Sequence, residues 1–223
     1  GDELILAQGK QSKTIALATK GRGAILMGGR LGKTYWMNED TGDMTTSTYY
    51  GPALPAWVDT WNKKTLADSW FGKAWDRALP ASAYSTAAAD DTASEGGWKG
   101  LGKTFPHKVD GKLKAPGPDY YEALCATPYA NDWELDFAKA AVESEQLGQR
   151  GVTDLLAISI SATDLAGHDF GPLSQEVQDI VVRTDKQLGD FLDWIYGKLG
   201  KEEVLVVLSA DHGGVPLPEQ LSS

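Results

Sequence analysis

The chain has 223 residues, of which 42% are hydrophobic and 23% charged, a globular composition that excludes collagen and low-complexity disorder. Its 31 acidic and 21 basic residues give a formal net charge of −10, so phosphate backbones repel it and general nucleic-acid binding is not expected. The single cysteine, Cys125, excludes an internal disulfide framework and is expected to be a buried small hydrophobe. No apolar run is long enough for a transmembrane helix, so membrane insertion is not expected.

The first fifty residues predict strands and turns. Thr14–Ala18 predicts a short strand, and Thr19–Gly29 predicts a glycine-rich turn with an apolar run. Lys33–Asn38 and Met44–Tyr50 are rich in threonine and aromatic residues and flank a turn sequence. Together they predict a β-hairpin.

A tryptophan-rich segment follows, and then a stretch with weak periodicity. Pro55 predicts the start of a helix, because Trp57 and Trp61 lie four residues apart on one helical face. This stripe is interpreted as packed core, and the alternative is a wall of a substrate cleft. Residues 76–128 are interpreted as a loop-rich insert, in which His107 is expected to be a surface or capping residue.

The last part of the chain alternates helices and strands. A capping-box pattern of Asn131 and Glu134 predicts a helix start. Asp154–Ile160 is a continuous apolar run, typical of a parallel strand buried on both faces. Ser174–Leu199 predicts a long amphipathic helix, and Val204–Leu208 predicts a second buried strand. A βαβ unit in a parallel sheet follows from this order.

Acids and histidines follow both of these predicted strands. Asp164 and His168 come after the first strand, and Asp211 and His212 after the second. Ligands collect at the carboxyl ends of parallel strands, so we expect these four side chains to meet at one edge of the sheet. Two carboxylates and two imidazoles there indicate a site for a zinc-type cation.

This pattern of an Asp-x-x-x-His loop and a later Asp-His-Gly loop resembles the alkaline phosphatase superfamily. The resemblance implies a mainly parallel sheet sandwiched by helices, with a small hairpin and a loop-rich insert. It also implies two zinc ions, one bound by Asp164 and His168 and the second by Asp211 and His212. The superfamily contains phosphatases, phosphodiesterases and sulfatases, so these loops alone do not name a substrate.

The front of the chain is similar to one branch, the PafA-type bacterial alkaline phosphatases. Lys20-Gly-Arg22 looks like the Lys-x-Arg segment of that branch, and the segments 46–50, 55–58 and 127–139 also resemble it. Taken alone, the two cations would be interpreted as a solvated basic turn. The resemblance implies instead that both contact phosphoryl oxygens, as expected if they lie two apart on an extended segment. It implies hydrolysis of small-molecule phosphate monoesters through a phospho-threonine intermediate.

Several parts of the implied active site are not found in this sequence. The family's nucleophilic threonine and a further metal-binding aspartate precede the Lys-x-Arg segment, and a third histidine follows the Asp-His loop at a distance. We therefore expect an internal piece of a larger enzyme, inactive by itself. Residues 1–39 are expected to form core with the phosphate-contacting segment, residues 40–128 an insert, and residues 129–223 a core βαβ unit. The resemblance also implies a periplasmic or secreted protein.

Two other functions stay open from the sequence. The same metal loops fit a phosphodiesterase or nucleotide pyrophosphatase, against which the Lys-x-Arg segment argues. The missing nucleophile fits an inactive fragment that binds a ligand or partner through its aromatic-rich surface. The preferred ester and the oligomeric state do not follow from the sequence.

Overall fold

The computed structural model of the chain describes residues 1–216 and 218. The described helices are α1 (Asp2–Ala7), α2 (Gly21–Gly28), α3 (Ala56–Asn62), α4 (Pro118–Cys125), α5 (Pro128–Glu145), α6 (Ala162–Phe170) and α7 (Gln175–Leu199). The described strands are β1 (Thr14–Ala18), β2 (Lys33–Met37), β3 (Met44–Thr45), β4 (Ala74–Trp75), β5 (His107–Lys108) and β6 (Leu155–Ser159). Short 3₁₀ turns cover Leu66–Trp70, Ala81–Tyr84, Trp98–Gly100 and Lys201–Glu203.

The larger sheet has four strands in the order β3-β2-β1-β6. β1 pairs in parallel with both β2 and β6, and β3 runs antiparallel to β2. Every residue of β1 is buried, because this strand has a neighbour on each side and α2 packs against it. The predicted mainly parallel sheet flanked by helices is confirmed, and so is the hairpin, although β3 has only two residues.

The chain folds as two compact units. The first consists of Gly1–Ser69 and Ala130–Ser161 and contains the four-stranded sheet. The second consists of Trp70–Tyr129 and the described residues from Ala162 onward, and contains the small β4–β5 sheet. The division into a core and an insert at residues 1–39, 40–128 and 129–223 stays a prediction.

An aromatic cluster forms the core of the first unit. Phe137 of α5 lies 5.4 Å from Tyr35 of β2, 5.1 Å from Trp57 and 5.0 Å from Trp61, measured between ring centroids. Two of these pairs meet edge to face, the geometry that the ring quadrupole favours. The tryptophan stripe of α3 is therefore packed core.

Three local predictions in this unit were wrong. Most of the predicted turn over Thr19–Gly29 is helix α2, and its C-cap residue Gly29 has a φ of 74°. α5 begins at Pro128, so Asn131 and Glu134 lie inside the helix instead of capping it. β6 is only partly buried along its whole length, because among the described strands it is the last in the sheet order and pairs on one side only.

The long helix α7 organises the second unit as the sequence predicts. The Ser174 hydroxyl accepts a hydrogen bond from the Val177 N–H at 3.2 Å and caps the helix. Ile180, Phe191 and Ile195 are buried on its apolar face. Cys125, at the end of α4, is buried as expected.

His107 was wrongly predicted to be a surface or capping residue. It is fully buried, with Nε2 at 3.0 Å from Glu176 Oε1 and Nδ1 at 3.0 Å from the Leu101 carbonyl oxygen. The rings of Trp75 and Phe170 each lie 5.0 Å from the imidazole. The Phe105 ring, two residues earlier, lies 4.7 Å away, but the Trp75 and Phe170 rings are distant in sequence and could not be placed from a local pattern.

The second predicted strand does not form. Residues 204–208 have no regular secondary structure, and Leu205 and Leu208 are 90% and 85% exposed. A strand needs a neighbour to satisfy its backbone N–H and C=O groups, and this segment pairs with none of the described strands. Among the described residues, no helix combines the length and apolar character needed to cross a bilayer.

Candidate functional site

Helix α6 carries the first pair of predicted metal ligands. Asp164 and His168 lie four residues apart, so they share one face of the helix, and Asp164 Oδ1 is 3.3 Å from His168 Nε2. The expected loop after β6 is in fact this helix, which begins at Ala162. The contact between Asp164 and His168 therefore follows from helical geometry and does not depend on any other element.

The second pair lies in the exposed segment after α7. His212 Nε2 is 3.3 Å from Asp164 Oδ1, while the Asp211 side chain is 92% exposed and its Oδ2 is 3.9 Å from His212 Nε2. A contact with the Gly213 carbonyl oxygen, followed by the charges of Asp211 and Asp164, raises the pKa of His212. Since the protonated form makes these contacts, they weaken as the pH rises through that raised pKa.

The structure thus brings three of the four predicted ligands together. Both imidazoles converge on one carboxylate oxygen, that of Asp164, and Asp211 stands at the edge of the cluster. Carboxylate oxygen with imidazole nitrogen is a donor set that suits zinc. Within residues 1–216 and 218, however, no group of three or more such side chains is arranged to hold a metal ion. The donor chemistry fits zinc, while the present geometry is that of an ion-paired cluster.

A tight turn holds the end of α6. The carboxylate of Asp169, next to His168, accepts a hydrogen bond from the Trp98 N–H at 2.6 Å, and its carbonyl accepts one from the Gly96 N–H at 3.0 Å. A Cβ on Gly96 would lie 2.4 Å from Asp169 Oδ1, so a larger residue there would displace the carboxylate. The successive N–H groups of Gly97 and Trp98 both face the Asp169 carboxylate and so form a nest. The sequence did not indicate this turn, because its parts lie about seventy residues apart.

Lys20 and Arg22 belong to the first unit, at the start of α2. Lys20 is the extended N-cap residue that follows β1, and Arg22 lies in the first helical turn. The segment is therefore extended at Lys20 but helical at Arg22. The expectation that both cations face the same way, as residues two apart on an extended segment would, does not apply here. The start of α2 packs closely on the sheet, because a Cβ on Gly23 would lie 3.1 Å from Ser159 Oγ and 3.4 Å from Ala18 Cβ. Amide groups at a helix start favour anions, which suits the predicted phosphate contact.

A fully buried acid in the first unit was also missed. Glu134 lies on α5, and helical spacing aligns it with Ala130, Phe137 and Ala138, which are all fully buried. A helical projection of α5 would have shown an acid on the apolar face. The capping-box interpretation concealed this signal, because it assigned Glu134 to the first turn.

Comparison with known proteins agrees with the sequence motifs. Residues 32–222 match the family model described as type I phosphodiesterase / nucleotide pyrophosphatase. The chain is 39% identical over 219 residues to the alkaline phosphatase PhoV of Synechococcus elongatus, covering 97% of this chain and 39% of PhoV. It is 36% identical over 222 residues to the alkaline phosphatase PafA of Elizabethkingia meningoseptica, covering 95% of this chain and 39% of PafA.

Comparison with solved structures also finds a bacterial alkaline phosphatase, PafA. The crystal structure of wild-type PafA has a TM-score of 0.80 to this chain at 34% identity, covering 91% of this chain and 39% of that one. A PafA variant has a TM-score of 0.81 at 33% identity, with the same coverage. Its substitutions include alanine for a lysine and for an arginine two positions further on.

The chain spans about two fifths of the length of these relatives. The family model nevertheless covers most of the chain, and the identity to both alkaline phosphatases extends over nearly all of it. The chain therefore belongs to the type I phosphodiesterase / nucleotide pyrophosphatase family and is a relative of the PafA-type bacterial alkaline phosphatases.

Proposed function

We propose that this chain is part of a zinc-dependent phosphomonoesterase that works through a phospho-threonine, with the nucleophile outside the chain. One observation carries the proposal: Lys20 and Arg22 lie where β1 meets the start of α2, in a chain similar to alkaline phosphatases over nearly its full length. A lysine and an arginine at the same spacing were replaced in the PafA variant. By itself the chain is proposed to be inactive, because it lacks the nucleophile.

Lys20 and Arg22 would hold the non-bridging oxygens of the phosphoryl group. A monoester dianion keeps three such oxygens, whereas a diester carries an alkyl group in place of one negative charge. The planar guanidinium of Arg22 suits two-point contact with phosphoryl oxygens, and the Lys20 ammonium acts as a point charge. Cations at this position therefore favour monoesters over diesters.

Asp164, His168, Asp211 and His212 would hold the metal ions. We assign the first pair to one zinc ion and the second pair to another, and further ligands would come from outside the chain. When bound, zinc supplies positive charge to the attacking, leaving and non-bridging oxygens of the ester. Helix α6 keeps the donor atoms of Asp164 and His168 side by side, and the turn at Asp169 fixes the end of that helix.

Substrate and location follow from the same proposal. The substrate is a small phosphate ester, since an acidic chain with a net charge of −10 repels nucleic acid. We propose that the protein is exported to the periplasm or beyond the cell, the compartment in which a general phosphomonoesterase meets external esters.

The decisive experiment compares monoester with diester hydrolysis in the full-length protein. R22A is expected to lower kcat/KM for a phosphate monoester by about 100-fold or more, as removal of a charge-stabilising donor does elsewhere, and to affect a diester far less. R30A is the matched control, since Arg30 follows the other end of α2. Equal losses for monoester and diester in R22A would overturn the role given to Arg22.

A second function is favoured by the name of the matched family model. The phosphodiesterase / nucleotide pyrophosphatase description fits the four metal-ligand candidates equally well. Under that alternative the wild-type protein hydrolyses diesters faster than monoesters, and R22A leaves this preference unchanged. The same pair of assays therefore decides between the two functions.

A further inference from the structure

Glu134 is a fully buried acid on α5 of the first unit. Its exposed fraction is 0%, and neither carboxyl oxygen has a hydrogen-bond partner of good geometry. The neighbouring positions of this helical face carry the apolar residues Ala130, Phe137 and Ala138. Apart from the buried amide of Asn131, three residues earlier, this acid lies among apolar side chains on that face.

The backbone N–H of Thr19 faces the Glu134 carboxyl. Thr19 is itself 2% exposed, and its hydroxyl oxygen also lacks a hydrogen-bond partner. It directly follows β1 and precedes Lys20, the N-cap residue of α2. The carboxyl therefore lies against the turn that joins the buried strand to the proposed phosphate contacts.

A buried carboxyl with incomplete hydrogen bonds is costly, and a leucine of similar volume would avoid the cost. Burial raises the pKa of Glu134 well above its usual range and so favours the neutral carboxyl, while the Thr19 N–H lowers it. A neutral carboxyl can accept a hydrogen bond from an N–H and donate its own proton to a hydroxyl. Thr19 presents its backbone N–H to the carboxyl, and a costly residue at such a contact indicates selection for something other than stability.

We propose that Glu134 is a positioning residue that holds the Thr19–Lys20 turn and thereby orients Lys20 toward the phosphoryl oxygens of the substrate. The inference rests on the proposed function, because it assigns Glu134 to the phosphate contacts. Glu134 itself does not touch the substrate. It acts through the backbone that leads from β1 into α2.

The test separates stability from phosphate binding. In E134L the midpoint of urea unfolding is expected to stay the same or rise, because the buried acid is gone. Inhibition by inorganic phosphate in the full-length protein is expected to weaken by about tenfold, within the range that misplacement of a binding group produces. Amide hydrogen exchange at Thr19 and Lys20 is expected to accelerate.

Conservative variants complete the test. E134Q keeps an oxygen for the Thr19 N–H, so phosphate inhibition should stay near the wild-type value. T19V removes only the hydroxyl and should weaken inhibition less than E134L does, which keeps the inference testable if E134L fails to fold. E143L and E143Q are controls on an exposed glutamate of the same helix and should change neither readout.

The outcomes distinguish this inference from the proposed function. If E134L leaves phosphate inhibition unchanged while R22A remains selective for monoesters, the positioning role is overturned and the function stands. Faster amide exchange with unchanged inhibition also overturns it, since Glu134 would then be structural only. If R22A affects both ester classes equally, the proposed function fails whatever E134L does.

Discussion

The two halves of the predicted metal site differ in what holds them. Asp164 and His168 lie on helix α6, whose end is fixed by the Gly96–Trp98 turn around Asp169. The second half follows the exposed run 204–208, and its contact with the first half is made through His212. Metal-ligand side chains spaced four apart on a helix are positioned by the helix itself. Those that follow a strand are positioned only when that strand pairs with a neighbouring strand.

Amide exchange gives the largest expected contrast between the two halves. In the metal-free chain, the buried turns of α6 should be protected more than about 1,000-fold over residues 204–208, because local opening of an unpaired segment costs almost nothing. Hydrogen exchange followed by mass spectrometry or NMR measures this directly. Equal protection would mean that residues 204–208 have found a partner, and the comparison would fail.

Replacing either histidine is expected to have the next largest effect, a loss of zinc affinity. H168A is expected to weaken zinc binding by about 10- to 100-fold, since it removes a donor that the helix already orients. H212A should weaken binding less, because binding through His212 also has to order an exposed segment. Competition with a zinc-selective dye measures both affinities, with D193N on the exposed side of α7 as control. An equal or larger loss in H212A would reverse the comparison.

Two glycine substitutions test how firmly α6 and the segment after α7 are held in place. Their expected effects on the free energy of unfolding are the smallest of the set. In G96A the new Cβ would lie 2.4 Å from Asp169 Oδ1, so we expect a loss of about 1–3 kcal/mol in the free energy of unfolding. In G214A the nearest atom is Pro172 Cβ at 3.1 Å, and we expect a change within about 0.5 kcal/mol. Urea denaturation measures both, and equal losses would show that α6 is no better anchored than the later segment.

Patterns carried by a single element were predictable from the sequence. β1 is a short apolar run that the parallel sheet buries completely, and α7 shows a regular apolar stripe that starts at a serine cap. The candidate metal ligands could be named because histidine is rare in this chain and two of its three histidines follow apolar runs. Such signals depend on spacing and residue type alone.

Features that depend on distant parts of the chain could not be predicted. Val204–Leu208 has the composition of a buried strand, yet a strand forms only beside a neighbour. His107 is buried partly by Trp75 and Phe170, which are far away in sequence. The helical position of Asp164 and His168 was available from their spacing of four, but the family pattern of strand-end loops suggested otherwise.

The account depends most directly on Asp164, whose single carboxylate oxygen contacts both imidazoles. Calorimetric titration of the chain with zinc, in the wild type and in D164N, tests this role. The wild type is expected to bind zinc, and in D164N binding at the site assigned to Asp164 and His168 should be more than about 100-fold weaker, because that site loses its charged donor. Zinc binding of the same affinity and stoichiometry in D164N would contradict the account.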